Sequence, residues 1–106
     1  MAKPIVLTPI AERDLDSITE YLLNNWSTVV TETFLLRFKQ VCTYISASPD
    51  IYPLIYKKQG IRKCILSKHN TIYFREHTHK IDILTIFDTR QDPDKLNIII
   101  EGVPKG

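Results

Sequence analysis

The apolar residues of this chain change their period once. From Ala11 to Ile45 they recur every three or four positions, and from Ile61 to Phe87 they gather in short runs broken by turn residues. The first spacing belongs to amphipathic helices and the second to strands. A chain that places its helical stripes first and its strands afterwards is not made of alternating strand and helix units. It predicts an α+β domain, with helices packed on one face of a small, mostly antiparallel sheet.

A strand is expected at Ile5 to Leu7, ended by Thr8-Pro9, where the threonine caps a helix and the proline occupies its first turn without wasting a donor. Ala11, Leu15, Ile18 and Leu22 form the apolar stripe of that helix, and Asn24-Asn25 stops it. Ser27 or Thr28 caps a second helix carrying Val30, Phe34, Phe38, Val41 and Ile45 on one side, closed by Ser48-Pro49. The short link makes the two helices an antiparallel hairpin.

A loop with Pro49, Pro53 and Gly60 leads to strands at Ile61 to Leu66, Thr71 to His77 and Lys80 to Asp88, a meander turned at SKHN and THK. In the last strand Ile81, Ile83 and Phe87 are read on one face and Leu84 and Ile86 on the other, which calls for a position between neighbours. The first strand is expected beside it in parallel, because the helices act as a long crossover. Asn97 to Glu101 reads as a short further strand. With 106 residues and no repeat or linker, one domain spanning 1–106 is expected.

The net charge of +2 and a pI of about 8.6 are too mild for a protein whose main activity is coating nucleic acid. No long apolar segment appears, so neither a signal peptide nor a membrane span is expected, and the cytoplasm is the expected compartment. Cys42 and Cys64 sit within apolar periodic segments and read as reduced core thiols. No cofactor and no metal site is expected.

Three groups of residues can carry chemistry. His77-Thr78-His79 looks like a metal pair but falls at a hairpin turn, and His69 falls at another beside Asn70, a residue suited to positive φ; exposed turn residues are the reading for all three histidines. The run Tyr56 to Lys63 holds four cations in eight residues. Within it Lys57 and Lys58 read as a solvated loop, whereas Arg62 lies on a strand that fixes its direction. In IFDTRQDPDKL, Arg90 can clamp neighbouring carboxylates, and Asp92 or Asp94 can bond nearby backbone amides while Pro93 ends the strand.

Taken together, LTPIAERDLDSITEYL, GIRKCIL, NTIYFRE and IDILTIFDTRQDPDKL resemble the RelE/ParE superfamily of toxins from type II toxin-antitoxin systems, over roughly residues 4–97. The terminal motif most resembles the ParE branch. The resemblance implies a helical hairpin on a small antiparallel sheet in a small bacterial protein, a plasmid-stabilisation type of toxin neutralised by a cognate antitoxin. A homodimer or a toxin-antitoxin hetero-oligomer is compatible with it. ParE-like members poison DNA gyrase by binding, without a catalytic set of their own.

RelE-like members cut messenger RNA on the ribosome and need cations with acid and base groups. Where that pattern has two lysines on a strand, this chain has Lys63 and Ile65; where it has an arginine, Thr71; and its tyrosine falls near Leu96. Arg90 matches the basic residue after the last long strand. The resemblance therefore implies gyrase as target, with Arg62, Lys63 and Arg90 as the functional cations. A ribonuclease built on Lys63, Arg90 and His69 is the alternative, and an antitoxin-binding relative without toxicity is a third reading.

Overall fold

A computed structural model describes residues 2–105. The elements are β1 (Ile5–Leu7), α1 (Pro9–Asn25), α2 (Thr28–Ala47), β2 (Leu54–Tyr56), β3 (Ile61–Ser67), β4 (Asn70–Glu76), β5 (Ile81–Asp88) and α3 (Pro93–Glu101), with one 3-10 turn at Pro49–Ile51. The sheet order is β1-β5-β4-β3-β2, antiparallel except for the β1–β5 pair. Strand, helical hairpin and meander thus lie where the sequence placed them.

The caps are chemical. Thr8 Oγ1 accepts from the Ala11 amide at 3.2 Å, and its own hydroxyl donates to the Leu84 carbonyl at 2.9 Å, so one residue starts α1 and ties it to β5. Ser27, rather than Thr28, caps α2 through the Val30 amide. The hairpin buries Ala11, Phe38, Val41 and Ile45 against Cys64, Leu66, Ile72, Phe74, Ile81, Ile83 and Ile86 of the sheet. Each fully buried aliphatic or aromatic side chain there contributes about 1.5 to 3 kcal/mol relative to exposure.

Four expectations need correction. Leu54–Tyr56, read as loop, is the edge strand β2, a segment too short to show alternation. The segment 97–101, read as a strand, belongs to α3: Asp92 accepts from the Asp94 amide at 2.9 Å, Pro93 fills the first turn, and Leu96 and Ile100 then pack on Ile61 and Leu84 across the other face of the sheet.

The faces of β5 also differ, because Ile86 joins Ile81 and Ile83 on the hairpin side. The cause is a β-bulge. Tyr73 pairs with Thr85 and Phe74 with Ile83, so Leu84 is an extra residue that shifts the alternation by one. A second register shift lets the β3–β4 turn close without positive φ; among the described residues only Gly60 has one, and Asn70 instead donates to Ser67 Oγ at 3.0 Å.

Candidate functional site

The antiparallel register brings two loops together at one end of the sheet. Asn70 lies opposite Asp88, so the Lys68-His69 turn meets the segment that follows β5, and the Thr89 amide donates to the His69 carbonyl at 2.8 Å. His69 and Arg90 become neighbours. Facing them is the end of α1 and the corner of the hairpin, with Tyr21 and Trp26. The space between is a cleft of about 630 Å³, floored by Ile18, Leu22, Phe34 and Ile86. A turn tip that sequence reasoning would leave in bulk solvent lines a cleft here, because the hairpin overhangs the end of the sheet.

Arg90 is clamped. Its Nε and Nη2 donate to the two oxygens of Asp88 at 3.0 and 2.8 Å, and its amide donates to Asp88 Oδ1 at 2.9 Å. The side-chain bond from Arg90 holds the Asp88 carboxyl below the ordinary carboxylate range, despite partial burial that opposes it. Asp14, another acid of the cleft wall, accepts through Oδ2 the Thr85 hydroxyl at 2.5 Å and the Ile86 amide at 3.0 Å. Strand β1 ends at Leu7, so this edge of β5 has no further strand to receive that amide. Asp14 takes the place of the missing strand.

The other cations stand elsewhere. Arg62 lies on the hairpin face, paired with Phe74, and its Nη1 donates to the Tyr52 carbonyl at 2.7 Å, fastening the link between α2 and β2. Lys63 is on the opposite face, directly across from Tyr73, which packs in the cluster beneath α3. Along β4, the pairing positions of Arg62 and Asp88 are four residues apart, about 13 Å of strand. Of Lys63, Arg90 and His69, the structure therefore brings together only His69 and Arg90; Arg62 is at the far end.

Of the turn histidines, His77 Nε2 meets Asp82 Oδ2 at 3.0 Å and His79 is exposed, and no group of three or more potential metal ligands gathers among the described residues. Both cysteines are free; burial, with Cys64 nearby, pushes the Cys42 thiol up to about 11. No helix among the described residues is long and apolar enough to cross a membrane. Sequence reasoning missed Tyr21, Trp26 and Asp14. The signal for the first two was the uncharged run YLLNNWSTVVT at the hairpin corner, with a tryptophan where a turn needs none.

The family model for the ParE toxin of the type II toxin-antitoxin system parDE matches residues 5–93. The chain belongs to that family. A solved structure described as the chromosomal ParDE TA system from P. aeruginosa shares the fold with a TM-score of 0.69, covering 82% of this chain and 96% of that one at 17% identity. No curated protein matches the chain. As a ParE-family protein it has the α+β architecture of that solved structure, and its α3 lies almost wholly beyond the matched residues.

Proposed function

We propose that this ParE-family protein is a bacterial toxin that inhibits DNA gyrase by binding it and is neutralised by a cognate antitoxin. What supports binding over cutting is that the groups of the ribonuclease pattern do not gather at one place. Phosphodiester cleavage needs positive charge and a proton donor or acceptor converging on one phosphate. Here Lys63 stands apart from His69 and Arg90, on the face opposite Arg62, and Thr71 and Leu96 occupy the positions where that pattern has an arginine and a tyrosine.

The surface suits protein partners. Trp26 and Val29, at 67 and 70% exposure, stand close in sequence at the hairpin corner, and Leu36, Ile65 and Ile98 are exposed to a similar degree elsewhere. An antitoxin segment covering some of them would bury apolar area and deny the same surface to the target.

The test is a pair of assays on one preparation. Stoichiometric protein blocks gyrase supercoiling or traps cleaved DNA, and equimolar antitoxin from the adjoining gene restores the activity. Unchanged supercoiling at excess protein, with codon-positioned cuts in translated messages, would replace this reading by the ribonuclease one. Neither effect, together with harmless expression, would mark a relative that binds antitoxin without toxicity.

A further inference from the structure

The cleft between the hairpin corner and the Lys68-His69 turn has a composition that protein docking does not require. One wall carries two aromatic residues, Tyr21 at 52% and Trp26 at 67% exposure. The other carries Lys68, His69 and Arg90. Of the two acids within reach, one is fully engaged and the other through one oxygen. Asp88 gives both oxygens to Arg90, and Asp14 Oδ2 receives a hydroxyl and an amide.

Among the polar groups of this cleft that hold no partner within the described residues are the Lys68 ammonium, the His69 imidazole and Nη1 of Arg90. They share one cleft, and its volume of about 630 Å³ falls in the range of small-ligand sites. An aromatic platform facing a fixed arginine and a free lysine recognises two things at once, a planar π-system and an anionic oxygen group. Inorganic anions would leave the rings uncovered, and a neutral aromatic would leave the cations unanswered.

We propose that this cleft binds a nucleotide, with its base stacked on Trp26 or Tyr21 and its phosphate held by Lys68, His69 and the free edge of Arg90. The Asp88 clamp fixes the guanidinium plane, so Arg90 meets the phosphate without first being ordered. The same chemistry comes from a free mononucleotide or from one unit of a single strand. Nucleotide binding is independent of gyrase inhibition, which is read by supercoiling; either can fail while the other stands.

The chain has a single tryptophan, so its indole N–H gives one resonance in a 15N-labelled sample. Thymidine monophosphate shifts that resonance and the Lys68 and His69 amides saturably, with half-saturation between about 0.1 and 5 mM. Thymidine alone and inorganic phosphate alone shift them far less. Lys68→Ala weakens binding at least about threefold and Trp26→Ala, read at the His69 amide, about tenfold, as loss of a phosphate contact and of a stacking ring require. Both side chains are exposed, so the variants keep the fold, verified by the unchanged remainder of the spectrum. A short oligothymidylate that binds tenfold tighter than the mononucleotide identifies a strand as the source, and equal affinities identify the free nucleotide. Absence of saturable shifts, equal response to phosphate alone, or half-saturation unchanged in both variants overturns the proposal.

Discussion

Asp14 shows how much one carboxylate can do from a helix. Its Oδ2 satisfies a hydroxyl and a backbone amide of β5 on residues that are 1 and 2% exposed, at the point where β1 is too short to continue the ladder. Asp14→Ala leaves both donors without an acceptor and is expected to cost about 2 to 4 kcal/mol in urea unfolding. Asp14→Asn keeps an acceptor oxygen and costs less than half as much, a contrast that separates the hydrogen bonds from simple loss of volume. A second residue-scale prediction concerns pH. Asp88 has its carboxyl lowered from 3.8 chiefly by the Arg90 side chain, so the folded state holds its proton less tightly than the unfolded chain. Its stabilisation is therefore complete above the unfolded value and is lost as pH falls through the lowered folded one. Melting curves between pH 2 and 7 should show a shallower acid limb for Asp88→Asn than for the parent. The Arg90 clamp was legible because donor and acceptors are close in sequence. Asp14 was not, since its partners lie 71 and 72 residues away and nothing local distinguishes it from a solvated helix acid.

Helix α3 illustrates a contest between propensity and capping. Ile98-Ile99-Ile100 is a β-branched run that by itself favours a strand. Asp92 and Pro93 instead set the first turn, and the helical spacing of Leu96 and Ile100 lets both reach the sheet. Ile100 is 3% exposed between Ile61 and Leu84, so Ile100→Ala should destabilise by about 2 to 5 kcal/mol in the same unfolding assay. Ile98→Ala, on the exposed side, should fall within about 0.5 kcal/mol of the parent. A strand at this position would predict the alternate residues, 98 and 100, to behave alike. At this scale the sequence revealed α1, α2 and the three strands of the meander, because periodicity accumulates over many residues, but it read the end of α3 as a strand. It hid β2, which has three residues, and the Leu84 bulge, which changes the phase of β5 without any glycine or proline to announce it. The cleft inherited that second omission, since the bulge places Ile86 in its floor.

At the scale of the whole molecule, both thiols report on the cooperativity of the fold. Cys42 on α2 and Cys64 on β3 sit in or against the one cluster that also takes in Ala11 of α1 and Ile81 of β5. Access to Cys64 therefore requires the hairpin to leave the sheet, a motion that breaks the same contacts as global unfolding. The Cys42 thiol, raised from 9.0 to about 11 mainly by burial, is not ionised at neutral pH and is a poor nucleophile while the protein is folded. Its linkage has the opposite sign to that of Asp88. The unfolded chain releases the proton near pH 9 and the folded one near 11, so this contribution to stability is whole below pH 9 and is lost as pH rises between the two. The expected outcome at pH 8 is slow labelling by an aromatic disulfide reagent, with Cys64 labelled at a rate set by opening of the core. When reclosing outpaces labelling, Asp14→Ala and Ile100→Ala should accelerate that reaction by the factors their unfolding free energies give, although neither residue touches a cysteine. Acceleration of both, each by its own factor, would mean that α1, α3 and the sheet open together. Acceleration by Asp14→Ala alone would mean that the hairpin opens while α3 stays docked, leaving the hairpin as the separable layer of this ParE-family fold.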